Sequence, residues 1–395
     1  MPVARQRFES ETDCLLCCLN YCLGLSNVAV FPFLIYDNGG VVFLLVYLVL
    51  LCAVAVPMLY LEIFLGQFCG WSVPRAFGGF PMAKGVGWTM VYSEVLVVLF
   101  HIPVLAYCLS YVMACFRKEL PWNTCGYHGV EEHGCYRVKH GSYPCFKINE
   151  TLARRYSSHN YSGGPVIVVS GAEGLERVSV PLQEYEALRN NCINGTISAA
   201  RAYYERHVAT SGYAGDDVGG AGVNLALAVT IGWVLILTAI LMGLPSLRKA
   251  SVWMLGTRLT LLTILCVASS VLSGAKHGML MLLQPDLSKF YSAKTWSAAS
   301  QHMFYTIGLS VGTVTFFASH NNFDWPILGT AVKITVADTL FGLFAAFVVF
   351  ALYGHLAEEF AVEIVDVTTP GEPHNSGLAT TCSAPLNVAP LLQPL

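Results

Sequence analysis

Hydrophobic residues in this chain form long runs, and seven of these runs reach or approach the length of a membrane-spanning helix. About 20 consecutive apolar residues are needed to cross the hydrocarbon core of a bilayer. Arg258 lies near the start of the fifth run and Asp338 lies in the seventh, so the assignment of those two spans depends on their apolar flanks. The predicted spans are Cys14–Tyr36, Val41–Glu62, Val95–Phe116, Val218–Ser246, Ser251–Ala275, Ala298–Phe323 and Ile334–Ala357.

Two of the predicted spans are interrupted by small and polar residues. The first is interrupted from Asn20 to Asn27, and the sixth from Thr306 to Gly312. Non-helical backbone at membrane depth is tolerated only where protein buries it or where it lines a cavity. A pair of such interruptions in two halves of a chain is typical of secondary transporters that bind ions and substrate at the midplane. The alternative is ordinary packing of small residues between helices.

The composition agrees with a polytopic membrane protein. Hydrophobic residues make up 55% and charged residues only 12% of the chain, against about a quarter charged in a soluble domain. Of the 47 charged residues, 22 lie between Arg117 and Asp217, so that stretch is predicted to be a polar loop. A net charge of -3 without a basic run excludes nucleic acid as an expected partner. The predicted segments are 1–116 with spans one to three, the polar loop 117–217, 218–357 with spans four to seven, and the tail 358–395.

Glycosylation sequons predict the orientation of the chain. They occur at Asn149, Asn160 and Asn194, all within the polar loop, and glycosylation takes place only on the lumenal side. An extracellular loop places the N-terminus inside and the tail outside, in a multi-pass protein of the plasma membrane. The loops that are then cytoplasmic carry most of the basic residues near the spans, in accord with the positive-inside rule. These residues are Arg5, Arg7, Arg75, Lys84, Arg248, Lys249 and Lys333.

The polar loop also carries cysteines in an oxidising compartment, where disulfides form. Cys125, Cys135, Cys145 and Cys192 allow three pairings, of which we favour Cys125 with Cys135. The cysteines of the first span have no His or further Cys at a metal-binding spacing, so we expect them to be small packing residues.

A series of motifs resembles the sodium- and chloride-dependent neurotransmitter and amino-acid symporters (neurotransmitter:sodium symporters). The motifs occur in the same order as in that family. They are the run Asn20–Asn27, Phe31-Pro32-Phe33, Asn38-Gly39-Gly40, Leu65-Gly66-Gln67-Phe68, Glu119-Leu120-Pro121-Trp122, Gln284-Pro285-Asp286 and Phe317-Ala318-Ser319-His320-Asn321. The resemblance implies an all-α polytopic membrane protein with a broken-helix inverted-repeat transporter fold.

The resemblance also implies that this sequence contains the first repeat and about two spans of the second, which gives about seven spans. A C-terminally truncated symporter of this kind is expected not to transport by itself, because span eight would complete the second sodium site and one wall of the substrate pocket. The implied function is sodium-coupled symport of a small amino acid or an amino-acid-derived neurotransmitter. The alternative is a transport-inactive membrane partner that modulates full-length relatives. No nucleophile motif occurs, so an enzyme is not expected.

Two sodium sites follow from the resemblance. The first would use the carbonyl of Cys22 with Asn27 and Thr306, and Asp338 stands where the family usually has Asn. Oxygen ligands suit a hard cation. Asn27 could instead bond between helices, and Thr306 could bond to its own helix; we favour the ligand role for both. The second site would keep only the carbonyls of Asn20 and Leu23.

The substrate is expected to lie against residues of both interrupted spans. Gly24 stands where amine transporters of the family have Asp, which suggests a substrate with its own carboxylate. His101 stands where the family has a Tyr that holds that carboxylate, and it either donates the same bond or packs in its helix. The implied substrate-binding residues are Tyr21, Gly24, Leu25, Ser26, His101, Tyr305, Thr306 and Gly308.

The resemblance further implies a chloride site or its replacement. The matching positions are Tyr47, His302, Thr306 and Asp338, with His302 in place of a Gln. A fixed carboxylate can offset the charge of a desolvated sodium ion as chloride does. Asp338 is therefore a candidate built-in counter-ion, and the alternatives are an ion pair between Asp338 and His302 or a register shifted by one helical turn.

Overall fold

A computed structural model of the protein describes residues 6–79, 81–125, 135–137, 143–145, 148–156, 165–171, 174–193, 197–204, 208, 223–241, 243–359 and 364. These residues form two compact units. The first unit contains the described residues between 6 and 106 and between 228 and 352. The second contains those between 107 and 227 and those from 353 to 364.

The first unit is built from helices. Short 3₁₀ turns at Phe77–Gly79, Pro81–Ala83 and Leu287–Tyr291 join some of them, and a π-helical turn at Leu51–Ala55 connects two others. The helices are α1 (Glu11–Cys22), α2 (Leu25–Ala29), α3 (Phe31–Asp37), α4 (Val41–Leu50), α5 (Val56–Cys69), α6 (Val73–Ala76), α7 (Lys84–Cys115), α11 (Val223–Leu241), α12 (Gly243–Ser270), α13 (Ala275–Leu282), α14 (Ala293–Ile307), α15 (Thr313–Ala318) and α16 (Ile327–Glu359). Three of these helices, α7, α11 and α16, include residues of the second unit.

Several of these helices match the predicted spans. By length and composition, four helical segments among the described residues could cross a membrane: Val41–Cys69, Lys84–Cys115, Ser246–Ser270 and Ile327–Glu358. A fifth is the pair formed by α1 and the segment Leu25–Asp37, which is bent by 49° at the predicted interruption. The fourth predicted span corresponds to α11, and the sixth to α14 and α15. The count of seven spans stays a prediction.

The core of the first unit surrounds α1, as the apolar face of this helix requires. The four cysteines of α1 are between 1 and 2% exposed and pack with aromatic and aliphatic side chains of α3, α4 and α14. Small side chains on α1 permit close approach of neighbouring helices, as in other membrane bundles. This packing agrees with the expectation that these cysteines are packing residues. They are Cys14, Cys17, Cys18 and Cys22.

The second unit corrects the expectation of an all-α chain. Its described residues include three two-stranded sheets, in which the first strand pairs with the sixth, the second with the fifth, and the third with the fourth. A polar loop is free of the bilayer constraint that every backbone group be satisfied within its own segment, so short strands can form. Its elements are β1 (Cys135–Tyr136), β2 (Tyr143–Pro144), α8 (Ile148–Tyr156), β3 (Val166–Gly171), β4 (Gly174–Ser179), α9 (Leu182–Asn190), β5 (Cys192–Ile193), β6 (Ile197–Ser198), α10 (Ala199–Tyr203) and a 3₁₀ turn at Pro121–Asn123.

Two disulfides link segments of the second unit. Cys125 is bonded to Cys135, which confirms the favoured pairing, and Cys145 is bonded to Cys192. The spacing of the cysteines offered no means to choose the second pair independently of the first. Of the sequon asparagines, Asn149 is exposed on α8, while Asn160 and Asn194 lie outside the described residues.

Candidate functional site

The first interruption is a sharp break between α1 and α2. Leu23 and Gly24 lie between the two helices, and the Gly24 N–H donates to the carbonyl of Cys22 at 2.8 Å. A Cβ placed on Gly24 would meet only the Cys22 carbonyl oxygen within 4 Å, at 3.8 Å. The backbone at the break is therefore open to a group approaching Gly24.

The second interruption separates α14 from α15. Gly308, Ser310 and Gly312 take left-handed φ values of 68°, 63° and 93°. This conformation is costly for a residue with a Cβ, such as Ser310. The Ser310 N–H donates to Glu62 Oε1 of α5 at 2.5 Å, so a carboxylate holds the unwound segment. No motif in the sequence predicted this contact.

The two breaks lie against each other. Cys22 Sγ is 3.7 Å from the carbonyl oxygen of Ile307. A Cβ on Gly308 would overlap the ring of Tyr21, so only glycine allows this approach. The structure thus brings together Tyr21 and Gly308, two of the residues expected to contact substrate.

A buried polar cluster extends from the first break to α16. Asn27 Nδ2 donates to Asp338 Oδ1 at 2.7 Å, and the Tyr47 hydroxyl lies 3.5 Å from Asp338 Oδ2. Asn27 and Asp338 are only 1% and 2% exposed. Thr306 Oγ1 donates to the His302 carbonyl of its own helix at 3.0 Å, and its hydroxyl also interacts with the Asp338 carboxyl. We call Asn27, Tyr47, Thr306 and Asp338 the Asp338 cluster.

His302 lies beside this cluster without forming an ion pair. Its ring stacks on Phe31 with centroids 4.9 Å apart, and Nδ1 is 3.5 Å from Ser26 Oγ. The buried Nε2 has no hydrogen-bond partner among the described residues. Within the same part of the chain no His302 nitrogen lies within 4 Å of an Asp338 oxygen, so the alternative of an ion pair between the two is not realised.

The donor set of the Asp338 cluster fits a hard monovalent cation. It offers a carboxylate, an amide and two hydroxyls next to the freed carbonyl end of α1. Oxygen ligands are the type that such cations require. A carboxylate taken out of water needs a compensating charge or hydrogen bonds, and among the described residues no Lys or Arg is paired with Asp338.

The second expected sodium position is different. Arg258 Nη1 donates to the carbonyl of Asn20 at 3.3 Å and also to the carbonyl of Leu23, and Nη2 is 3.4 Å from Asn20 Oδ1. A guanidinium therefore already binds both carbonyls that the resemblance assigned to sodium. These two carbonyls do not fit a sodium ion in this structure. The sequence signal was the arginine itself, since a charged residue within a membrane span marks a functional position by default.

Both ring nitrogens of His101 lie within hydrogen-bond distance of a partner. Nδ1 is 2.8 Å from the Val97 carbonyl of its own helix, and Nε2 is 3.0 Å from the Tyr305 hydroxyl. The two rings are nearly parallel, with centroids 6.0 Å apart. His101 is thus linked to α14 through Tyr305, which is itself 38% exposed. Leu25 is 37% exposed and Ser26 is buried.

A cavity of about 460 Å³ adjoins the second break, and its existence was not expected from the sequence. It is lined mostly by apolar residues of α6, α7, α11 and α15. Glu94 is its acidic residue, and the Tyr21 hydroxyl lies 3.5 Å from Glu94 Oε2. The Thr313 hydroxyl interacts with both of them. A polar chain thus runs from the first break to the wall of the cavity.

Comparison with known proteins gives a consistent result. Residues 5–380 match the sodium:neurotransmitter symporter family. The chain is 28% identical over 369 residues to the sodium-dependent nutrient amino acid transporter 1 of Drosophila simulans, a match that covers 93% of this chain and 54% of the relative. It is 27% identical over 380 residues to the sodium- and chloride-dependent neutral and basic amino acid transporter B(0+) of Homo sapiens, covering 93% and 55%.

The chain spans about half the length of the curated relatives that it matches. These relatives are named as transporters, not as enzymes, and neither name favours a transport-inactive partner of full-length proteins. The family match and the apolar helices identify a multi-pass membrane protein. This chain therefore belongs to the sodium:neurotransmitter symporter family.

Proposed function

We propose that the chain carries the sodium- and substrate-binding elements of a plasma-membrane symporter that takes up a small amino acid together with sodium. The observation that carries this proposal is the meeting of the two helix breaks beside the Asp338 cluster. Unwound backbone is tolerated at membrane depth only where it lines a site or is covered by protein. Sodium is a co-transported substrate, bound by the Cys22 carbonyl, Asn27, Thr306 and Asp338.

An amino-acid substrate is supported by the open backbone at Gly24. The space beside Gly24 accepts a group that an Asp side chain would fill, and a substrate carboxylate carries the charge that an Asp would otherwise supply. The names of the relatives from Drosophila simulans and Homo sapiens, both amino acid transporters, point to the same substrate class. His101 is proposed to orient Tyr305 through its hydrogen bond. The remaining proposed contacts are Tyr21, Leu25, Ser26, Tyr305 and Gly308.

The substrate class is tested by placing charge at Gly24. The purified chain should bind a radiolabelled neutral amino acid in sodium chloride but not in choline chloride. Gly24→Asp should abolish this binding, because two carboxylates would share one desolvated site. Gly24→Asn is the matched control, since it adds the same volume without the charge, and it should lose less. Equal binding by the Asp and Asn variants would contradict a substrate carboxylate at Gly24.

Asp338 is proposed to act as the counter-ion of the bound sodium in the place of chloride. The carboxylate is buried and is held by Asn27 and Tyr47, so its negative charge stays at a fixed distance from the cation position. Chloride could play this part only by binding from solution. Sodium binding by this chain is therefore expected to be independent of chloride.

A further inference from the structure

We propose that the Arg258 guanidinium is a fixed cation that fills the position at the end of α1 where a second sodium ion would otherwise bind. The inference rests on the proposed function only in that it uses the same helix break. It concerns other atoms than the Asp338 cluster, namely the carbonyls of Asn20 and Leu23. The chain then binds sodium at the Asp338 cluster and carries its second positive charge in its own sequence.

The end of α1 is a natural binding place for a cation. The last carbonyls of a helix lack N–H partners within the helix, and the helix dipole places partial negative charge there. Leu19 and Cys22 carbonyls accept the N–H groups of Leu23 and Gly24. The carbonyls of Asn20 and Leu23 accept from Arg258 instead.

The placement of Arg258 on α12 shows that the contact is built into the packing. Leu255 and Leu262, three residues before and four after, are 8% and 6% exposed and pack with Leu23 and Phe341. Residues at this spacing lie on one face of a helix. Arg258, which is half-buried, thus belongs to the face that packs on the broken span rather than to a lipid-facing surface.

The positive charge of Arg258 is stabilised by the dipoles of carbonyl and amide groups and not by an acidic side chain. Among the described residues no carboxylate oxygen lies within 4 Å of its guanidinium, whereas Arg248 on the same helix pairs with Glu9 and Asp13. A cation held by carbonyl and amide oxygens alone has the same kind of surroundings as a bound sodium ion. The guanidinium and a sodium ion would compete for the same oxygens.

The test counts sodium ions on neutral variants of Arg258. Arg258→Met removes the cation and every donor, and Arg258→Gln keeps an amide that can donate to one carbonyl and support the fold. Removal of the guanidinium frees the oxygens of Asn20 and Leu23. Equilibrium binding of ²²Na⁺ to the purified chain should therefore show additional sodium binding in both variants relative to the wild type, weaker than at a site completed by span eight. Their melting temperature should also rise with sodium more steeply than that of the wild type, with choline as the reference cation.

Lys249→Met is the matched control, because it removes the same charge from an exposed position of α12. It should bind as many sodium ions as the wild type. An unchanged ion count in a folded Arg258 variant would overturn the proposal and leave Arg258 as a structural helix cap. Saturable binding of two sodium ions by the wild type would also overturn it, and this measurement needs no change at Arg258. A wild type that binds no sodium at all would count against the Asp338 cluster. The comparison of sodium binding between the Arg258 variants and the wild type would still test the Arg258 proposal.

Discussion

At the scale of single residues, the main feature of this chain is the charge placed at the two ends of one helix break. Asp338 places its carboxyl group against Asn27, and Arg258 places its guanidinium against the carbonyls of Asn20 and Leu23. Charges at membrane depth are costly unless they are paired or hydrogen-bonded. Both are therefore expected to have specific effects on ion binding when they are neutralised.

Asp338→Asn should make sodium binding depend on chloride. The amide keeps the size of the side chain but removes the fixed negative charge, so a mobile anion must then offset the sodium charge. We expect the wild type to bind sodium equally in chloride and in gluconate, and the variant to bind it well only in chloride. Titration with ²²Na⁺ in both salts measures this. If both proteins lose binding to the same extent in gluconate, Asp338 is not the counter-ion.

Gly308→Ala should destabilise the chain by more than a left-handed backbone alone explains. A Cβ at this position would overlap the Tyr21 ring, and the positive φ costs an L-residue about 1–2 kcal/mol. Gly70 is the matched control, because its φ is 62° and a Cβ there meets nothing within 4 Å. Thermal unfolding in detergent should rank Gly308→Ala below Gly70→Ala, and the Gly308 variant should also lose amino-acid binding. Equal melting temperatures of the two variants would show that the Tyr21 ring can move aside without a measurable cost, which would contradict this prediction.

At the scale of elements, the break between α14 and α15 depends on a side chain from α5. Glu62 holds the Ser310 N–H, and the positive φ of Ser310 shows that the segment does not relax to a helix. The conformation of the backbone at the second break therefore depends partly on the Glu62 side chain of α5.

Glu62→Ala should loosen the segment between the two helices. The Ser310 N–H would lose its acceptor; because Ser310 is exposed, the cost is that of one hydrogen bond, about 0.5–1.5 kcal/mol. Glu62→Gln retains an acceptor oxygen and should lose less. Hydrogen–deuterium exchange at residues 308–312 reports the difference, and equal protection of these amides in both variants and the wild type would contradict the role of Glu62.

The helices, their breaks and the strands could be predicted from the sequence only where a local pattern of residues determines them. The break at Gly24 and the one after Ile307 fell within the predicted interruptions, because small and polar residues inside an apolar run favour unwound backbone that protein covers. The ends of the spans were less accurate, since helices such as α7 and α12 extend beyond the apolar run into polar residues. Four strands of the polar loop have only two residues each, which is too short a pattern to detect. The six-residue strands β3 and β4 are long enough to leave a pattern, and the prediction of a polar loop overlooked them.

The resemblance assigned Asn27 and Asp338 to one expected sodium site, and the structure places these residues, 311 positions apart, within hydrogen-bond distance of each other. The roles of the two residues as sodium ligands stay a prediction. Three other contacts follow only from how the helices pack, because nothing in the local sequence of either partner encodes such a pairing. They join Arg258 with Asn20, Glu62 with Ser310, and Glu94 with Tyr21.

At the scale of the whole molecule, the orientation of the chain in the membrane is an expectation that rests on the polar loop. Asn149 is exposed on α8 and belongs to a sequon. Deglycosylation of the protein from cells should lower its apparent mass, and the triple replacement of Asn149, Asn160 and Asn194 by Gln should abolish that shift. A cysteine-reactive or protease probe that reaches the loop only after permeabilisation of cells would contradict an outside loop.

Sodium and an amino acid are proposed to bind to one site built on the two helix breaks. The most direct measurement is the affinity for the amino acid as a function of sodium concentration, in the wild type and in Asn27→Ala. Linkage requires that each ligand strengthen the binding of the other. We predict that the Kd of the wild type falls by about tenfold or more between choline and saturating sodium, and that the Kd of Asn27→Ala stays unchanged. A wild-type affinity that is the same in choline and in sodium would contradict a shared site.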